Sequence, residues 1–248
     1  MWDLDSKIDR PQIFPYVIHI VGWPKPRGYH PELELNPPKK ITEISWQGLS
    51  LTEDEIKAKY KAISFYKSQI EYEPPYLFTF ARKNEIFGDY PPVKLKKQDE
   101  KEIHWQDLKI NENIEISQSI KREENQTDNI SNLAYGIDYK NLYIRLTLKR
   151  KIDKDFGASV FLLGYSRKSD FSSTPKIRLN VGVNGLHIKD KKQTLFIKDV
   201  QLRYQDKTLV IKVPFLALGN PDYILGYART NTGDLSLDET AWRIIEIE

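Results

Sequence analysis

The residues in this chain that could do chemistry are few and widely separated. The 248 residues contain four histidines (His19, His30, His104 and His187) and no cysteine. The lack of cysteine excludes disulfides, thiolate metal sites and a cysteine nucleophile. His30-Pro31-Glu32 has the residue types of a metal-binding loop, but one histidine beside a proline reads first as an ordinary loop residue. There is no H-x-x-x-H, no H-E-x-x-H and no paired-carboxylate motif, so local sequence assembles no catalytic group and no metal site. A G-x-S-x-G elbow and a phosphate-cradling glycine loop are also missing. Asp234, Asp238 and Glu239 offer the oxygen ligands calcium takes, although a solvated acidic turn is the plainer reading. Asn125-Gln126-Thr127 and Asn129-Ile130-Ser131 match the glycosylation acceptor pattern. The densest polar group is Arg82, Asn84 and Glu85, which close the apolar run "YLFTF" like the wall of a site.

Two stretches of different periodicity must position these residues. Prolines cluster up to Pro92, and between them "YVIHIV" (16–21) predicts one short buried strand. Residues 22–46 read as loop, because proline fixes φ and removes a donor. Thr52 and Glu55 form a capping-box pattern, with Leu51 as the staple. A helix is predicted from there to about residue 71, with Ile56, Tyr60, Ile63, Lys67 or Tyr66, and Ile70 along one stripe, and Pro74-Pro75 stops it. "YLFTFARKN" reads as a second helical turn. One strand has no partner to pair with, so residues 1–92 look like an incomplete α/β unit.

Residues 93–104 form a charge run that reads as a linker, and from residue 105 the period becomes two. "NLYIRLTLK" puts Leu142, Ile144, Leu146 and Leu148 on one face and Tyr143, Arg145, Thr147 and Lys149 on the other. "KIRLNVGV" repeats the pattern with Ile177, Leu179, Val181 and Val183 inward, and Asn184-Gly185 then signals a hairpin. "ASVFLLGYS", "TLFIKDVQLRY", "TLVIKVPFL", "YILGYART" and "WRIIEIE" supply further strands. The predicted architecture is therefore α/β plus all-β, with an antiparallel β-sandwich over 105–248. At roughly 145 residues the sandwich can bury a core of its own.

Composition narrows the function classes. Hydrophobic residues make up 40% and charged residues 29%, the balance of a soluble globular chain. The net charge of +3 is a small difference between 38 basic and 35 acidic residues, which argues against nucleic acid as a partner. No apolar run approaches the roughly 20 residues of a membrane helix. The N-terminal residues carry no secretory pattern, so the compartment stays open, with the cytoplasm as the default expectation.

Residues 16–87 resemble, in order and spacing, the C-terminal part of a PIG-L/LmbE-like deacetylase. The matching pieces are "YVIHIVGWPKPRG", "LNPPKKI", "WQGLSLTEDEIKAKYKAISFYKSQ" and "YLFTFARKNEIF". The resemblance implies a partial doubly wound α/β domain and zinc-dependent removal of acetyl groups from N-acetylglucosamine-type sugars. In that family zinc polarises the amide carbonyl and activates water while an aspartate takes the proton. Its zinc motifs, H-P-D-D and H-P-D-H, do not occur here, and His30-Pro31 falls in the wrong loop to replace them. The expectation is a non-catalytic part of such an enzyme, with no cofactor in this chain and a possible partner chain supplying the missing N-terminal part. His19 and Trp23 fall near the ligand edge of such a sheet, and Arg82, Asn84 and Glu85 carry over as the closing segment, read first as an ion pair and amide network holding the last helix to the sheet and second, with His19 and Trp23, as substrate contacts.

The second half resembles a carbohydrate-binding module of the family 9 or DOMON-like type through "YGIDYKNLYIRL", "IKVPFLALG" and "DETAWRIIEI". In such modules a pyranose stacks on an aromatic ring. Candidates are Tyr135, Tyr139, Tyr143, Tyr165, Tyr227 and Trp242, with Tyr143 and Trp242 foremost. A carbohydrate or amino-sugar conjugate is the implied partner. The alternative to a deacetylase part is a glycan-binding sandwich without catalysis.

Overall fold

The computed structural model describes residues 14–18, 20, 22–39, 41, 44–71, 74–97, 103–108, 129–191, 193–233 and 235–248. His19, Asp234 and the Asn125-Gln126-Thr127 pattern lie outside them. The chain divides into a smaller unit, Ser6–Lys39 with Ile44–Tyr90, and a larger one, Met1–Asp5, Lys40–Glu43 and Pro91–Glu248.

In the smaller unit, β1 (Ser45–Ser50) is followed by α1 (Glu53–Ser64), α2 (Lys67–Ile70), α3 (Pro74–Phe78) and β2 (Asn84–Asp89). β1 and β2 pair antiparallel from Ser45↔Asp89 to Ser50↔Asn84. The capping box forms as the sequence predicts: the Glu55 amide donates to the Thr52 hydroxyl and the Thr52 amide donates to Glu55. Glu53, Asp54 and Glu55 put negative charge at the positive end of α1. The predicted single helix to residue 71 is instead two, because the chain turns at Phe65-Tyr66 before α2. Of the expected stripe only Ile56 is buried, and Tyr66 is 64% exposed. The "YVIHIV" strand does not form over 16–18, and Ile20 makes an isolated bridge to Trp23. The two strands present come from "SWQGLS" and "NEIFGD", neither of which alternates cleanly. Leu35, Tyr76, Phe80 and Ile86 make the core, with Tyr16, Trp23, Trp46 and Leu77 against it.

In the larger unit nearly every element is a strand. They are β3 (Val93–Leu95), β4 (Gln106–Leu108), β5 (Ile130–Ile137), β6 (Asn141–Leu148), β7 (Gly157–Tyr165), β8 (Lys176–Gly182), β9 (Gly185–Asp190) and β10 (Gln193–Leu195), then β11 (Gln201–Gln205), β12 (Thr208–Pro214), β13 (Tyr223–Thr232), β14 (Leu235–Glu239) and β15 (Arg243–Ile247). One sheet runs β10-β9-β8-β7-β13-β15-β3, with β14 also on β13, and the other runs β11-β12-β6-β5-β4. Leu142, Ile144, Leu146 and Leu148 meet Ala158, Val160, Leu162, Ile177 and Leu179 in one shared core. Burying each large aliphatic side chain is worth about 1.5–3 kcal/mol, so the two facing sheets hold each other.

Three details differ from the sequence reading. The linker begins with a strand: Val93 and Leu95 are buried, and β3 adds parallel to β15. "TLFIKDVQLRY" is two strands in different sheets, and Phe196, where the chain crosses, is 97% exposed. The β8–β9 turn centres on Val183-Asn184, so Val183 is exposed rather than inward, while Gly185 takes φ +98 beyond it.

A candidate glycan-binding face

The polar group of the smaller unit is built as a brace. The segment from Trp23 to Pro38 holds five prolines, so it is rich in carbonyls and poor in donors. Arg82, 2% exposed, supplies the missing donors: Nε donates to the Thr79 carbonyl at 2.9 Å, Nη1 to Glu34 at 3.1 Å and Nη2 to Pro26 at 2.8 Å. The Asn84 amide accepts from the Leu35 amide at 2.6 Å and donates to the Leu35 carbonyl at 3.0 Å, as an added strand would. The Trp23 indole donates to the Asn36 carbonyl, and its ring packs on Phe80. Glu85 pairs with Lys59 beside the Tyr16 hydroxyl. Burial and the Glu85 carboxylate push the Tyr16 phenol well above its ordinary range.

Trp23, Arg82, Asn84 and Glu85, candidate substrate contacts of which the last three read first as a structural brace, turn their polar groups to their own unit. His30 joins Glu32 and the Arg27 carbonyl. A cleft of about 760 Å³ opens between Tyr29, Glu32, Glu34, Ser50 and Lys83, and of those four residues Asn84 alone lines it. Among the described residues no three His, Asp or Glu side chains converge on a point that could hold a metal ion. Nor is any described helix long and apolar enough to cross a membrane.

In the larger unit the candidate residues separate. Tyr135 is fully buried, and a Cβ on Gly226 would stand 2.8 Å from its hydroxyl, so it is a core residue rather than a sugar contact. Tyr139 is exposed in the β5–β6 turn. Tyr143 lies on the outer face of the smaller sheet and donates to Asp138 at 2.8 Å. Trp242 belongs to the larger sheet, so Tyr143 and Trp242 share no site. Asp238 is 5% exposed and accepts the Asn129 and Ile130 amides at 2.9 Å, which replaces the expected solvated turn with a clip on the start of β5.

The outer face of the larger sheet carries an arrangement of aromatic rings with ligand character. In β7 and β13, Val160, Leu162, Ile224 and Ala228 point to the core, so Phe161 and Tyr227 point out as cross-strand partners. Their ring centroids are 4.9 Å apart. The Thr240 amide bonds the Ala228 carbonyl and Gly226 pairs with Arg243, which sets Trp242 opposite Tyr227 with centroids 4.7 Å apart and stacked. Rings lying side by side in one plane cannot come so close, so the three overlap as a column. Trp242 ends that column and is 48% exposed. No protein-family model matches the chain, and no curated protein matches it. Polar groups border the column: Ser159 donates to Asn180 at 2.9 Å, and Glu239 faces Arg229 across β14 and β13. Burial raises the Tyr227 phenol above its ordinary range and the Glu239 charge adds to this, against the Arg229 and Arg178 cations.

Sequence alone pointed to Trp242 and Tyr227. Phe161, Asn180, Arg178 and Arg229 were missed, because outward positions on a strand carry no periodicity of their own. The available signal was register: "ASVFLLGYS" aligned against "YILGYART" puts Phe161 beside Tyr227.

Proposed function

We propose that the larger unit is a glycan-recognition module that binds a sugar through the outer face of its larger sheet. The observation that carries this is the half-exposed Trp242 ending a column of three rings on the outer face of the larger sheet. A pyranose has one apolar face of C–H groups, and a fixed indole offers a flat partner at little entropic cost. The two rings behind Trp242 hold it in place. Glu239, across from Arg229 and felt at the Tyr227 hydroxyl, offers a carboxylate to sugar hydroxyls, which would give direction to the stacking.

The full chain should bind oligosaccharide in calorimetry, and Trp242→Ala should weaken that binding at least about tenfold, as expected when a stacking ring is removed. An oligosaccharide panel that gives no heat, or a Trp242→Ala chain that binds as well as the parent, overturns the reading.

The smaller unit supports a second reading, carried by the ordered resemblance from Tyr16 to Phe87: the closing part of a PIG-L-type sugar N-deacetylase. The zinc-binding residues of that family are not in this chain, so hydrolysis would need them from another chain. The purified chain is expected to hold no stoichiometric zinc and to release no acetate from N-acetylglucosamine conjugates. Zinc by atomic absorption at one ion per chain contradicts this.

A further inference from the structure

One charged group on the glycan face is not used by stacking. Arg229 stands two residues beyond Tyr227 on β13, on the same side of the sheet. Its guanidinium lies 5.2 Å from the Phe161 centroid, and Arg178, reaching across from β8, lies at 5.2 Å from the same ring. Lys189 is the cross-strand neighbour of Arg178. Arg229 has no ion pair among the described residues, although Glu239 is its cross-strand partner. Its Nε is shielded from water and has no acceptor. The remaining binding capacity of the guanidinium is therefore at its terminal nitrogens. Half withdrawn from water beside a second cation, with the Tyr227 hydroxyl as a neutral partner and no ion pair among the described residues, its charge is only partly compensated.

We infer that this face takes an acidic saccharide, with a hexuronate ring on Trp242 and its carboxylate paired with Arg229. The inference rests on the glycan-binding reading above. Trp242 lies opposite Tyr227 just ahead of β15, and Arg229 is two residues beyond Tyr227 on the same side of the sheet, so one sugar and a long side chain can bridge the two. The planar guanidinium matches a planar carboxylate in two parallel hydrogen bonds. Arg178 and Lys189 add positive field, and Glu239 is left to hold hydroxyls.

The test is calorimetry of the full chain with trigalacturonate, neutral galactotriose and a sulfated galactotriose. Trigalacturonate is expected to bind about tenfold tighter than the neutral trisaccharide, a margin typical of a charge-assisted bidentate pair. The margin should narrow as salt rises. Arg229→Gln should bring the acidic sugar down to the affinity of the neutral one. Arg229→Lys, which keeps the charge and loses the fork, should fall between and also serves if the glutamine variant unfolds. Equal affinity for acidic and neutral sugars, both lost in Trp242→Ala, overturns this inference and leaves the glycan reading standing. Tighter binding of the sulfated sugar overturns the carboxylate assignment. No heat with any saccharide removes the glycan reading and this inference with it.

Discussion

Arg82→Ala is expected to destabilise the smaller unit by about 4 kcal/mol, near the upper end for a single substitution. The three carbonyls that Arg82 serves, at Pro26, Glu34 and Thr79, belong to segments with few other donors. A hydrogen bond to a charged group contributes about 1.5–3 kcal/mol, and leaving a buried acceptor unmet costs a similar amount. Truncation also opens a cavity beside Phe80 and Ala81, both buried. Arg82→Lys should recover only part of the loss, because one ammonium on a flexible stem cannot reach three separated carbonyls. Hydrogen exchange read across 24–36 and 79–86 checks this. Protection in those segments should fall by orders of magnitude while strands β6, β7 and β13 keep theirs. A uniform drop across both units, or none at all, contradicts the assignment of Arg82 as the brace of the proline-rich segment.

What was legible in the sequence, and what was not, follows from the range of the forces involved. The Thr52–Glu55 cap is closed within four residues, so its pattern and its structure agree. The alternation of Leu142, Ile144, Leu146 and Leu148 was readable because one face of β6 is dry and the other wet. β1 was not readable, since five of its six residues are exposed and burial imposes no pattern on it. Its strand state comes from pairing with β2, from Ser50↔Asn84 out to Ser45↔Asp89, a long-range cause that a local window does not see. Val93 and Leu95 were hidden in the same way inside a charge run, because the strand they add to is at the far end of the chain. The candidate site divides along the same line. Residue type alone singled out Trp242 and Tyr227. The same criterion also chose Tyr135, which is core, and Tyr143, whose hydroxyl is committed to Asp138. Only register separates a ring that faces solvent from one that faces the opposite sheet.

The Asp138 carboxylate leads to the second large effect, and it brings a pH dependence. Asp138 is 3% exposed and closes the β5–β6 turn by accepting the Lys140 and Asn141 amides at 2.6 Å, the Asn141 side chain at 2.9 Å and the Tyr143 hydroxyl at 2.8 Å. Burial pushes its pKa up. The Asn141 side chain, the Lys140 amide, the Tyr143 hydroxyl and the Asn141 amide outweigh burial and hold it below the ordinary carboxylate range. Asp138→Ala should therefore cost about 3 kcal/mol at neutral pH, the upper figure for a lost hydrogen bond to a charged group. The native state keeps this proton off at a pH where the unfolded chain has already bound it. The stabilisation is thus present above the unfolded pKa, about 4, and fades as pH falls through the lower native value. Asp138→Asn keeps one acceptor oxygen and cannot titrate, so its deficit should be constant from pH 7 to 5 and shrink below pH 4. Urea unfolding of parent and variant at pH 7, 5 and 3 measures this. A deficit that grows toward pH 3 would mean the carboxylate is protonated more readily when folded, the reverse of what its donors dictate. Because β6 carries Leu142 and Ile144 into the shared core directly after this turn, a loosened Asp138 is felt in the core as well as in the loop.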